Sequence, residues 1–166
     1  MNIKRILFVL LAGVFTLLPA SGRLSSDNGK QDTASSVTDG EDVVKTAMKY
    51  IGVRYRSGAS GPKYFDCSGF TSFIFRQTNI PLTRTSRTQY KEGKPVQKIA
   101  DLRPGDLVFF GGSRHNGTVG HVGIVKELNA DSSDFSFVHA SRTGVKVDMM
   151  SSAYYKKRYI GARRVF

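Results

Sequence analysis

The chain holds a single cysteine, Cys67, in the run Asp66-Cys67-Ser68-Gly69-Phe70, where an amphipathic helix is expected to begin. A thiol attacks a carbonyl only as the thiolate. Free cysteine, with a pKa of about 8.5, falls to roughly 3.5–7.5 at a helix N-terminus or beside an imidazolium. Two histidines follow far downstream, His121 in Gly120-His121-Val122-Gly123-Ile124 and His139 in Phe137-Val138-His139-Ala140-Ser141. Cysteine, histidine, then a third polar residue is the chain order of a cysteine hydrolase. Cys67 would be the nucleophile, His121 the base and afterwards the acid towards the leaving amine, and His139 the residue that fixes the His121 tautomer. A thiolate poised by His121 would alkylate quickly near pH 6. Gly69 lets a second backbone or a substrate come close, and the Cys67 amide is a candidate donor to an oxyanion. The same three side chains could hold zinc with a water in the fourth position. Neither a Cys-x-x-Cys nor a His-x-x-x-His spacing supports that, so no metal and no other cofactor is expected. His115, in Ser113-Arg114-His115-Asn116-Gly117, has no comparable context.

The elements that must position these residues read as helices first and strands afterwards. Thr38-Asp39-Gly40-Glu41 has capping-box spacing, so a helix is expected to start there. Val43, Val44, Ala47, Met48 and Ile51 give it an apolar face, and Gly52 ends it. Residues 56–64 contain Gly58, Gly61 and Pro62 and read as a loop. Asp66 can cap the next helix, with Cys67 in its first turn, Phe70, Phe73 and Ile74 on one face, and an end near Asn79. A short polar helix is expected from Thr85 or Ser86. After Leu102-Arg103-Pro104-Gly105, residues 106–110, 121–128, 135–140, 145–149 and 159–166 are strand-like, separated by Gly111-Gly112, Asn129-Ala130-Asp131 and Arg142-Thr143-Gly144. That order predicts an α+β domain: N-terminal helices, with the nucleophile at a helix start, packed on an antiparallel sheet of five to six strands. Consecutive antiparallel strands would bring His121 and His139 side by side.

Residues 1–22 have the pattern of an export signal: Lys4 and Arg5, an apolar run over 6–18, then Pro19-Ala20-Ser21-Gly22. The apolar run is short for a membrane span, and no cysteine stands at the cleavage point, so neither a stable span after cleavage nor a lipoprotein anchor is expected. Residues 23–40 read as a tether, rich in Ser, Asp, Asn and Gly over 23–37, and 41–166 as one domain. An exported chain with one thiol has no internal disulfide to form, so Cys67 needs another purpose. The 166 residues carry 25 Lys+Arg against 13 Asp+Glu, a net charge of +12. This favours anionic partners, anionic cell-wall polymer among them. The basic residues are scattered and form no zinc-finger or RNP-like pattern, so nucleic acid is not an expected partner. A monomer is expected.

The runs Asp66-Cys67-Ser68-Gly69-Phe70, Leu102-Arg103-Pro104-Gly105-Asp106-Leu107-Val108-Phe109-Phe110, Gly120-His121-Val122-Gly123-Ile124 and Val138-His139-Ala140 resemble, in order and spacing, the NlpC/P60 family of bacterial cell-wall peptidases. The resemblance implies a papain-like core over most of the domain and hydrolysis of peptide bonds in peptidoglycan stem peptides or crosslinks. It implies Cys67 as nucleophile, His121 as base and His139 as the orienting third residue. Tyr55 would line the site, and Asp66 and Ser68 would help hold the substrate. It also implies a periplasmic or extracellular location. Where the family often has an aromatic residue and two glycines after the tyrosine, this chain has Arg56-Ser57-Gly58. The competing expectation is a catalytically silent domain that binds wall polymer through its basic surface. That domain would keep its binding, and its steep salt dependence, when Cys67 is lost.

Overall fold

The computed structural model describes residues 35–112 and 117–166. The expected export signal, the tether up to residue 34 and His115 lie outside the described residues. Helix α1 covers Ser35–Met48, α2 Cys67–Gln77, α3 Ser86–Gln89 and α4 Ala153–Lys156. Six strands, β1 (Lys94–Val96), β2 (Leu107–Gly111), β3 (Val119–Leu128), β4 (Phe135–Ser141), β5 (Gly144–Met149) and β6 (Tyr159–Arg164), form one antiparallel sheet in the order β1-β6-β2-β3-β4-β5.

The α+β expectation holds, and the sheet has the upper of the two strand numbers expected. α1 begins at Ser35, so the helix runs through Thr38 and the expected capping box is no terminus.

Alternation along the strands divides the core into two layers. Leu107 and Phe109 of β2, Val122 and Ile124 of β3 and Val138 and Ala140 of β4 pack against Val43 and Ala47 of α1 and Phe70, Phe73 and Ile74 of α2. The residues between them, Val108, Phe110, Val125 and Phe137, face the other side, where Tyr155 of α4 and Met150 cover them. The two histidines belong to this second layer. Phe110 is the register partner of His121, and the rings of Phe110, Phe137 and Tyr155 lie around the two imidazoles, Tyr155 stacked on His121 and edge-on to His139.

Part of the basic charge is structural. The fully buried Asp106 carboxylate, just ahead of β2, accepts from Arg164 Nε at 2.8 Å and Nη2 at 2.7 Å and from the Arg103 amide at 2.8 Å. The Arg163 guanidinium lies 4.7 Å from the Tyr90 ring centre. A planar fork meeting a carboxylate at two points is the strong form of such a pair, and this one ties β6 to the turn that starts β2.

Candidate active site

Cys67 is the first residue of α2, and Asp66 is its cap. One Asp66 oxygen accepts from the Gly69 amide at 2.7 Å and the other from the Gly58 amide at 2.9 Å. Arg84 grips both oxygens, at 3.0 and 2.6 Å, and also reaches the Ser68 hydroxyl at 3.1 Å. Burial alone would raise the Asp66 pKa, but Arg84 and the two amides outweigh it and hold the carboxyl below its ordinary value. The buried Gln89 of α3 joins this frame, accepting from Thr71 Oγ1 at 2.8 Å and donating to the Ser68 carbonyl at 3.1 Å.

Cys67, Tyr55 and His121 line one cleft of about 460 Å³. Gly111, Gly112 and Gly120 form part of its wall and put no side chain into it. The backbone amides of Ser68, of Val122 on β3 and of Cys67 itself each favour the thiolate. His121 Nε2 lies 2.8 Å from His139 Nδ1, with the rings perpendicular. His139 is 0% exposed, and its Nε2 lies 2.9 Å from Asp148 Oδ2 on β5. Lys146 Nζ reaches the same oxygen at 2.9 Å. Among the described residues no three His, Cys, Asp or Glu side chains are grouped as a metal site requires.

Asp66 and Ser68 are not among the cleft residues; their polar atoms are engaged at the α2 start. Gly120 and Gly123, which flank His121, are each packed closely by neighbouring chain. A Cβ on Gly120 would lie 2.5 Å from Gly112 Cα, and one on Gly123 2.6 Å from the Phe137 ring and 3.2 Å from His139 Cβ. Gly123 therefore makes room for Phe137 and His139 on β4. Sequence reasoning missed Arg84 and Asp148. The alternation Val145-Lys146-Val147-Asp148 puts Asp148 on a polar strand face, but only the register shows that this face is turned towards His139.

The resting charge state also departs from the sequence expectation. Burial, and after it the neighbouring Asp66 carboxylate, push the Cys67 thiol up, against the pull of the three amides. Burial, and then His139, push the His121 imidazole down to about 3. Between pH 6 and 7 the pair is therefore a neutral thiol beside a neutral imidazole. A raised thiol pKa means that the thiolate fraction is small at pH 6 and grows only above the ordinary cysteine range. Iodoacetamide should thus alkylate Cys67 more slowly at pH 6 than it does a free thiol such as N-acetylcysteine, with a rate that climbs through pH 9. Fast labelling at pH 6 in a stopped-time mass assay would contradict this.

Solved proteins of a known class, bacterial NlpC/P60 proteins among them, superpose on this α+β domain. An NlpC/P60 family protein from Bacillus cereus matches with a TM-score of 0.67 and 30% identity, covering 75% of this chain and 39% of that one. The NlpC/p60 domain of the peptidoglycan hydrolase SagA matches with a TM-score of 0.59 and 28% identity, covering 76% and 98%. The chain belongs to the NlpC/P60 family, which it matches over residues 52–164. The Escherichia coli K12 protein named murein DD-endopeptidase MepS/murein LD-carboxypeptidase is 41% identical over 147 residues, 85% of this chain and 73% of that relative. A probable endopeptidase p60 of Listeria seeligeri is 36% identical over 123 residues, 74% of this chain; the match spans only 22% of the p60 protein.

Proposed function

We propose that the chain is a cysteine peptidase that hydrolyses peptide bonds of peptidoglycan stem peptides or crosslinks through an acyl-enzyme. The observation that carries this reading is the cleft that Cys67 and His121 share, with the second nitrogen of His121 held on His139. The family and the names of the relatives support the substrate class. Because His121 Nε2 faces His139, Nδ1 is the nitrogen left for the thiol. As substrate enters, Nδ1 takes the Cys67 proton and Sγ adds to the scissile carbonyl. The amides at the α2 start stabilise the oxyanion. When the C–N bond breaks, the proton passes from His121 to the departing amine, leaving a thioester. A water that gives its proton to Nδ1 then adds to the thioester, and the carboxylic acid leaves as Sγ recovers the proton.

Tyr55 remains neutral in the cleft wall, its pKa raised by burial and then by Cys67 and Asp66, so it is a hydroxyl donor to substrate. Asp66 and Ser68 act on the substrate indirectly, by setting where Cys67 stands. Peptidoglycan lies outside the plasma membrane, so this reading requires export, to the periplasm or beyond, which the pattern at residues 1–22 would supply.

Purified protein incubated with peptidoglycan should release new amino termini, and mass analysis of the fragments would identify the bond. Wall polymer that binds but is never cut would instead favour the silent domain.

The cleft lining includes Arg142, Lys146 and Arg158 and no Asp or Glu among the described residues. A charge-assisted contact to a carboxylate is roughly twice as strong as a neutral one. A stem peptide with free carboxyls should therefore show kcat/KM about tenfold above the same peptide with its carboxyls amidated, at low salt. Arg142→Met should narrow that gap. Equal rates on the two peptides would remove the anionic-substrate element of the reading.

A further inference from the structure

We propose that Asp148 is a fourth, positioning member of the site, which sets the proton pattern of both histidines and so leaves His121 able to accept from the thiol. The inference rests on the reading of His121 as the base and goes beyond the Cys-His-His triad. In the sheet register His139 stands opposite Lys146, and Phe137 stands opposite Asp148. Residues 137, 139, 146 and 148 thus share one face, and Asp148 reaches His139 diagonally, which long side chains can do in an antiparallel pair.

The chain of protons follows from what each group can do. An ionised carboxylate only accepts, so the 2.9 Å contact to Asp148 Oδ2 requires the proton on His139 Nε2. A neutral imidazole carries one N–H, so His139 Nδ1 is bare and accepts. The hydrogen in the 2.8 Å contact between the rings then belongs to His121 Nε2. His121 Nδ1 is bare in turn, as a base needs. Without the carboxylate the reversed pattern competes, in which His139 Nδ1–H donates to His121 Nε2. In that pattern the proton of His121 sits on Nδ1, where it blocks transfer from Cys67.

Every group facing His139 is consistent with this assignment. From β3 comes His121, neutral near pH 7 because burial holds it down. From β5 come Lys146 and Asp148. Burial pushes the Asp148 carboxyl up, but Lys146 and His139 outweigh it and keep its pKa below the ordinary value. From α4 comes Tyr155, whose hydroxyl lies 3.4 Å from His139 Nε2 and is held neutral by burial and by Asp148. His139 is 0% exposed in the intact protein, so the carboxylate holds its Nε2–H without competition from bulk water.

The test reads the tautomers directly. In protein with ¹⁵N-labelled histidine, two-bond nitrogen–proton spectra near pH 7 should show His139 as the Nε2–H form and His121 as the Nε2–H form. Asp148→Ala should shift a substantial fraction of both to Nδ1–H. It should also lower kcat about 100-fold while KM changes less than about threefold, as loss of a group orienting a catalytic imidazole does. Asp148→Asn keeps the shape but can present either its oxygen or its NH2 group. It should fall between wild type and Asp148→Ala in both readouts. Asp148 lies on an edge strand and is partly exposed, so both variants should fold, which thermal melting checks. Unchanged tautomers in both variants would overturn the proposal, as would a fall in kcat that tracks lost stability alone. Tautomers that shift in a protein with no hydrolytic activity would leave the role of Asp148 standing and count against the peptidase reading.

Discussion

Replacing Cys67 with alanine is expected to reduce the release of new amino termini from peptidoglycan by at least about 10⁴-fold, with the melting temperature changed by no more than a few degrees. The size of the effect follows from the nucleophile's place in the chemistry. Without Sγ no thioester forms, and what survives is the help that substrate binding and the oxyanion amides give to direct attack by water. The neutral fold effect follows from the local structure. The α2 start is held by Asp66 accepting from Gly69 and Gly58 and gripping Arg84, none of which passes through the sulfur. Cys67 is partly exposed at the cleft, so alanine leaves no sealed cavity. Quantifying amino termini against time for both proteins, alongside thermal melts, separates loss of chemistry from loss of fold. Activity in the alanine variant within tenfold of the parent would sink the cysteine mechanism, whatever the family.

The candidate site was legible because it is built from residue types rare in this chain. One cysteine behind an Asp cap, and histidines on two consecutive strand-like runs, leave few arrangements once the strands pair. The strands themselves stood out wherever valine, isoleucine and phenylalanine clustered between glycine turns. β1 did not: Lys94-Pro95-Val96 has no alternation, and a proline in a strand belongs at an edge such as the one β1 occupies. α4, four residues long, carries no period to detect. The start of α1 was misplaced because a capping-box spacing at Thr38 also occurs within a helix that begins at Ser35. Asp148 and Arg84 were hidden for a different reason. Their partners, His139 and Asp66, are fixed by register and by a loop closing over α2, neither of which is written in the local sequence. The charge state of Cys67 was misjudged on the same ground. A helix start favours thiolate, but desolvation is a property of the assembled core, and here it is the larger influence.

The second large effect is expected at Gly69, in the first turn of the helix that begins at Cys67. A Cβ there would lie 2.1 Å from the Ala59 carbonyl oxygen and 2.9 Å from Asp66 Oδ1. The nearer atom is backbone, which a rotamer change cannot move aside. That carbonyl accepts from the Asp66 amide at 2.9 Å, while the Asp66 side chain caps Gly69 and draws in Gly58. Gly69→Ala must therefore push the loop over residues 56–61 away from the α2 start and strain the cap at the same point. Overpacking a tight site costs about 1–3 kcal/mol and a weakened N-cap about 1 kcal/mol more, so the melting temperature should fall by about 5–10 °C. Activity should fall further than stability, by about 100-fold at a temperature where the variant is folded, because a shift near 1 Å in a reacting atom carries that penalty. Gly111→Ala is the control for stability. Its Cβ would find nothing nearer than the Arg158 carbonyl oxygen at 3.7 Å, an ordinary contact, so its melting temperature should stay within about 2 °C of the parent. Equal melting temperatures for the two alanine variants would show that the loop yields without cost. The close approach of Ala59 to Gly69 would then have no part in holding Cys67 in place.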